Sequence, residues 1–353
     1  MPRGKGKQRP SLKPVKPKPS PAAPPVDVCL EVLRRLEDVK DKLAFSAAFH
    51  NALEASRDKR AWTVCKTADV STLYGMNKVT DLLKTRPESI QELHGHSLSS
   101  MASTFWIAAW HFLPNLQCIR WIARSRAFEH EAASEEPEQF SLPKGLQIVE
   151  LHVELDGSYE EDYCQPFALS RLQSQGFAPA VTGLAISMCV DELEVYDPDA
   201  WQKVELSDVS LPRLQSLDLR VTGITGQLLA SNLKDLTLNL TESLHWSSLE
   251  LCQRLERVDI TIGDPDLDLE LCEITLMGCK HSCFQNLTEL SLAADVLRED
   301  GQLGRLTRHK LKNVSLAIRQ PHMSIFDISE LCRFKWASTK LRFEDGFSCK
   351  LSR

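Results

Sequence analysis

The sequence predicts an α/β protein. A short N-terminal helical module precedes an irregular solenoid, with short parallel strands on its concave face and helices and loops on its convex face. Two observations carry this reading. Val28, Val32 and Leu36 lie four residues apart and draw an apolar stripe along a helix of about ten residues. Beyond them, a hexad with aliphatic or aromatic residues at its first, fourth and sixth positions recurs eight times.

The chain opens on a leader, 1–23, in which Arg3, Lys5, Lys7, Arg9, Lys13, Lys16 and Lys18 meet no acidic residue and prolines recur between them. Such a segment cannot bury enough apolar surface to fold, so it is expected to be an extended tail. It could serve as a nuclear-import, anionic-surface or organelle address, or as a plain leader.

A helical module is expected over 24–65. Pro25 and Asp27 mark the start of its first helix, since an Asp carboxylate can accept from the free amides of a first turn. A second helix is expected from Asp38, with Asp38 and Asp41 spaced as a capping box. The run that follows, from Leu43 through Phe45, Phe49 and Ala52 to Leu53, is apolar on more than one face. Helices this short must bury such surface against the rest of the chain, another protein, or both. Over 66–112 a helical linker or N-terminal cap is expected, from a helix at 76–85 and an aromatic-rich one at 100–112.

The array is expected over 113–353, with a C-terminal cap. Its hexads are Leu116-Ile119-Trp121, Leu146-Val149-Leu151, Val181-Leu184-Ile186, Leu214-Leu217-Leu219, Leu233-Leu236-Leu238, Leu255-Val258-Ile260, Leu287-Leu290-Leu292 and Leu311-Val314-Leu316. The fourth and sixth positions alternate as a strand requires, and the first turns the chain inward. One such strand buries too little to persist, so the turns must stack. The hexads start 19 to 35 residues apart, and residues 246–255 could form a convex helix on one return. Alternation predicts that Arg120, His152, Asp218, Arg220, Thr237, Asn239, Arg257 and Asp259 face a partner. Their mixed charge suits a polypeptide better than a uniformly anionic ligand.

No Gly-rich phosphate loop, Ser nucleophile elbow or paired-histidine zinc motif is present. Cys279, His281 and Cys283, near Cys272, supply zinc donors without a second close pair, and Asp264, Asp266 and Asp268 lack the Gly and Glu of a calcium loop. A non-catalytic protein with no cofactor and no metal is expected. The eleven cysteines are odd in number and scattered through apolar segments, which suits reduced thiols. The net charge of −6 gives no bulk attraction to nucleic acid, and no stretch is apolar enough to span a membrane. A soluble cytoplasmic protein is expected, nuclear as well if the tail is an import signal.

Two family resemblances sit on these residues. Pro25-x-Asp27-Val28-x-x-x-Val32-Leu33-x-x-Leu36-x-Asp38-Val39-Lys40-Asp41-x-Leu43-Ala44-x-Ser46, followed by Trp62 after a basic turn, resembles the F-box. The hexads resemble leucine-rich repeats from about residue 90 to 316. In that repeat family an Asn or Cys usually follows two positions beyond the sixth apolar residue. Here Cys189 matches it, Thr222, Thr241 and Asp295 are weaker substitutes, and the ladder bridging adjacent turns is expected to be mostly missing.

The F-box resemblance implies contacts to a Skp-type adaptor, and through it a cullin, from Pro25, Val28, Val32, Leu33, Leu36 and Leu43. It implies a recognition subunit of a Skp-cullin-F-box ubiquitin ligase, whose repeats hold an unidentified protein target for an enzyme supplied elsewhere. A repeat scaffold without a ligase role is the alternative. A hydrolase or metal enzyme on an unfamiliar fold is the third reading.

Overall fold

Each of the eight hexads falls on a parallel strand in the computed structural model of the chain, and every apolar residue that defines them is buried. The structure describes residues 24–62, 67–69, 90–97, 113–125, 145–155, 166–174, 177–188, 203–206, 209–263, 272–276, 284–298, 311–321, 338–342 and 347–352. It forms two compact units, Met1–Val64 and Cys65–Arg353.

The first unit holds α1 (Val26–Arg35), α2 (Val39–Ala48), α3 (His50–Ala55) and a 3-10 turn, Lys59–Trp62. The Asp38 carboxylate caps α2, accepting from the Lys40 amide at 2.7 Å. The helix expected to run on through Leu53 breaks at Phe49, whose backbone is extended (φ −142°) and whose ring meets Phe45 edge-on at 6.0 Å. Lys42 is fully buried, and its Nζ donates to the carbonyls of Leu33 and Ala61, both at 2.6 Å. It thus ties the end of α1 to the 3-10 turn. Asn51 Nδ2 donates to the Pro24 carbonyl at 2.8 Å and fastens the start of α1 in the same way.

Among the described residues the second unit is α/β, built on a mostly parallel sheet with few helices. Its elements begin with β1 (Thr67–Asp69), β2 (Glu92–Ser97), β3 (Cys118–Arg124), β4 (Ile148–Leu155), β5 (Phe167–Ala168) and α4 (Ser170–Ser174). Next come β6 (Gly183–Met188), β7 (Val204–Glu205), β8 (Ser216–Val221), β9 (Ile224–Thr225), β10 (Asp235–Leu240), β11 (Leu244–His245), β12 (Arg257–Ile262) and β13 (Glu273–Thr275). The chain closes with β14 (Glu289–Arg298), β15 (Asn313–Pro321), β16 (Ser338–Arg342) and β17 (Phe347–Ser352).

The main sheet runs β1-β2-β3-β4-β6-β8-β10-β12-β14-β15 with every pair parallel, then β17 and β16 antiparallel. The path has two ends, so it is not a closed barrel. Short strands that follow the long ones form secondary ladders: β5-β7-β9 is a separate parallel sheet, while β11 pairs with β13 and β13 with the second half of β14. Burial alternates along the long strands, as in β8 and β12, so one face of the sheet is core. A buried Leu, Ile or Val contributes about 1.5–3 kcal/mol, and stacking lets each strand share that burial with two neighbours.

The structure departs from several expectations. The sheet starts before residue 113, because β1 and β2 lie within the segment expected to be a helical linker or cap. Ile90 and Leu93 are buried as a hexad requires, but Gly95 takes the sixth position and hides the pattern. The helices expected at 76–85 and 100–112 lie outside the described residues, as do the leader, the Cys279-His281-Cys283 cluster and the aspartates at 264, 266 and 268.

Residues 246–255 form no α-helix. A 3-10 turn, Trp246–Leu249, is followed by turns, and Trp246 is buried against Phe284 at 4.8 Å. The return between Leu233 and Leu255 is among the shortest and leaves little chain for more than one helical turn.

The expected gap in the bridging ladder is filled only at Thr241 and Asp295, while the buried Thr222 hydroxyl makes no hydrogen bond among the described residues and Cys189 lies outside them. Thr241 Oγ1 donates to the Thr222 carbonyl at 3.4 Å, Cys272 Sγ to the Thr241 carbonyl at 2.9 Å, and the Cys272 amide to Asp295 Oδ2 at 3.2 Å. Hydroxyl and carboxylate groups therefore do the work of the usual amide. A second ladder precedes the hexads. Arg213 Nη2 donates to the carbonyls of Leu146 (3.1 Å) and Gln147 (2.9 Å), and Asn232 Nδ2 to that of Pro212 (2.5 Å). Arg254 Nη1 donates to Asn232 Oδ1 (2.7 Å) and Asn286 Nδ2 to the Gln253 carbonyl (3.3 Å).

Candidate functional site

Parallel pairing in register turns the outward positions of successive strands into rows that cross the sheet. The first row is His94, Arg120, Glu150, Gly183, Ser216, Asp235, Arg257, Glu289 and Asn313. The second contains Ile122, His152, Ala185, Asp218, Thr237, Asp259, Ser291 and Ser315. The third contains Glu154, Ser187, Arg220, Asn239 and Thr261.

All eight residues expected to face a partner lie on this face. Arg120 and Arg257 stand in the first row, His152, Asp218, Thr237 and Asp259 in the second, and Arg220 and Asn239 in the third. None of them is buried. The arginines are engaged by neighbours. Arg120 Nε meets Glu150 at 2.6 Å across two strands, Arg257 meets both Asp235 oxygens at 2.5 and 2.6 Å, and Arg220 reaches Asp218 at 3.2 Å on its own strand. Hydrogen bonding to those carboxylates raises the pKa of Arg120 and of Arg257 above the ordinary guanidinium value. His152 Nε2 lies 2.8 Å from Ser187 Oγ, joining the second row to the third.

Sequence reasoning missed a cavity on this face. A cavity of about 600 Å³ opens over β2 to β10, floored by Gly183 and Ala185 and edged by Ile122, Arg120, His152 and Asp218. β6 presents Gly183, Ala185 and Ser187 outward, so the floor sinks between longer side chains on β4 and β8. Ile122 stays 37 % exposed there. A second cavity, of about 410 Å³, lies over β10 to β15 and is lined by Asp235, Thr237, Asp259, Glu289 and Ser291 among others.

In the helical unit the residues expected to contact an adaptor separate into two sets. Val28 is 50 % exposed and Pro25 is exposed, while Val32, Leu36 and Leu43 are half-buried. Leu33 is fully buried, as is Cys29. Leu33 therefore faces the inside of its own unit and offers nothing to a foreign surface, which corrects its expected role. Val28 and Val32 line a shallow cavity with Asp27, Glu31 and Arg35, where Glu31 pairs with Arg35 at 3.1 Å and with Arg34 at 3.5 Å. Phe49 and Leu53, at 41 % and 44 %, are further exposed apolar residues of this unit.

Among the described residues no group of three or more His, Cys, Asp or Glu side chains is placed to hold a metal ion. No described helix is long and apolar enough to cross a membrane. No family model matches the chain, and a search of curated proteins finds no significant match.

Proposed function

We propose that the chain is a non-catalytic, cytoplasmic recognition subunit of a Skp-cullin-F-box type ubiquitin ligase, nuclear as well if its basic tail is an import signal. Its helical unit binds a Skp-type adaptor, and through that a cullin, while the outward face of the sheet holds a protein target. The observation that carries this reading is the half-exposed Val28, beside Val32, on a helix whose opposite side, Cys29 and Leu33, is already buried. An apolar group left in water on an ordered helix favours a partner, because burying it gains about 0.8 kcal/mol per methylene. The F-box resemblance of residues 25–46 supplies the identity of that partner. The resemblance of the hexads to leucine-rich repeats, arranged as a solenoid, supplies the role of the sheet face.

The test is capture of a purified Skp-type protein by the full chain. Retention by the native chain, lost in Val28→Asp and in Val32→Asp with thermal stability unchanged, is the expected result, since both place a charge in a dry interface. No retention by the native chain overturns the ligase role and leaves a repeat scaffold that binds proteins through the sheet face.

A further inference from the structure

We propose that the outward sheet face takes an extended peptide segment bearing one apolar side chain and, about four residues away along it, a lysine or arginine. This rests on the target-binding half of the reading above and not on the adaptor half.

The apolar site is the cavity over β6. Gly183 and Ala185 leave a floor without side-chain bulk, and Ile122 forms an apolar wall that is 37 % exposed. A volume of about 600 Å³ is ample for one large aliphatic or aromatic side chain and the backbone that carries it. The Ser216 and Glu150 side chains flank Gly183 closely, since a Cβ there would meet Ser216 Oγ at 3.0 Å and Glu150 Cγ at 3.2 Å.

The cationic site lies at Asp259 and Glu289. Arg257 shares β12 with Asp259 and is the register partner of Glu289, but its guanidinium is committed to Asp235 through two short bonds. Asp259 has no ion pair among the described residues, and Glu289 accepts only a long bond, 3.4 Å, from Asn313. Thr237 and Ser291, the register neighbours of Asp259, add hydroxyl groups that can also accept from an ammonium. The cavity there holds three carboxylates, Asp235, Asp259 and Glu289, against two cations, Arg257 and Lys350, so an arriving cation still meets net negative charge. A phosphorylated or nucleic-acid ligand finds the reverse, because Arg120, Arg220 and Arg257 each already face a carboxylate.

The separation of the two sites sets the spacing. Ala185, Asp218, Thr237 and Asp259 occupy one row on β6, β8, β10 and β12, three strand intervals in all. At about 4.8 Å per interval that is roughly 14 Å, and an extended peptide advances about 3.3 Å per residue. The row is thus a ruler of about four residues.

Fluorescence anisotropy with the full chain tests this. The probes are labelled peptides of about twelve residues, mostly Ser, Thr and Gly, with one Leu and one Lys separated by about two to six residues. The tightest binding is expected near a separation of four. The double variant Asp259→Asn, Glu289→Gln weakens it at least about tenfold, but leaves peptides with norleucine for lysine unchanged. Ala185→Arg, an outward substitution that fills the pocket, weakens both peptide classes. Binding that ignores the separation, binding unchanged in the double variant, or no binding by any peptide overturns the inference. Assaying the same preparation against a Skp-type protein separates the two ideas. Adaptor retention without peptide binding sinks this inference alone, and peptide binding without adaptor retention sinks only the ligase role.

Discussion

The indole of Trp121 lies over Gly95 on the neighbouring strand, so close that a Cβ added to Gly95 would stand 2.1 Å from Trp121 Cζ3. The two are register partners, Trp121 in the first hexad and Gly95 on the strand before it, where the hexad pattern is broken. A single large ring from one strand fills the space that two ordinary hexad residues would share elsewhere in the sheet.

Gly95→Leu restores the hexad in sequence and is expected to destabilise the fold by about 1–3 kcal/mol through overpacking. Adding Trp121→Leu should recover most of that loss. A double-mutant cycle in urea measures it, and additive effects would refute the shared-space account.

Lys42→Met keeps the aliphatic stem but removes the donor to the Leu33 and Ala61 carbonyls. Leaving buried carbonyls without a partner costs about 1–3 kcal/mol each, so the helical unit should lose about 2–6 kcal/mol. Hydrogen exchange is expected to accelerate over α1 and α2 while the sheet amides keep their protection. Uniform acceleration across the whole chain would contradict this local role.

Asn232→Ala removes both the donor to Pro212 and the acceptor for Arg254, and a loss of about 1 kcal/mol is expected by chemical denaturation. Asn232→Asp keeps an acceptor for Arg254, now with charge, and should lose less. Equal losses would show that the bridge to Arg254 contributes nothing.

Asp58 is held below its ordinary value of 3.8, first by the side-chain hydrogen bond from Arg60 and then by the Arg60 amide. Because the folded-state pKa is depressed, any stability this pair contributes is present above the usual carboxylate range and fades as pH falls through the lowered value. Carboxyl chemical shifts followed by NMR should show Asp58 titrating late in acid, and Arg60→Ala should move the midpoint upward.

What could be read from the sequence follows from which signals are local. The hexads were legible because the fourth and sixth positions of each lie on one face of a strand and the first, in the turn before it, is buried with them, as Leu214, Leu217 and Leu219 are. The turn at Ile90 was not, since its missing bulk comes from a tryptophan 26 positions further on. The outward rows followed from alternation alone, yet the cavity over β6 did not. Its depth depends on Gly183 and Ala185 lying between longer residues on strands distant in sequence. The F-box resemblance also grouped Leu33 with Val28 and Val32, because a motif matched on residue type does not reveal which side of the helix turns inward. The ladder through Arg213, Asn232, Arg254 and Asn286 escaped notice for a simpler reason: it falls just ahead of each repeat, where polar residues read as ordinary turn.

A duplication that inserted one more strand and its return into the parallel run would leave the direction of every neighbouring strand intact. Any such event within 183–263 would push Ala185 and Asp259 apart by one strand interval, and the spacing demanded of a bound peptide would grow with it by one or two residues.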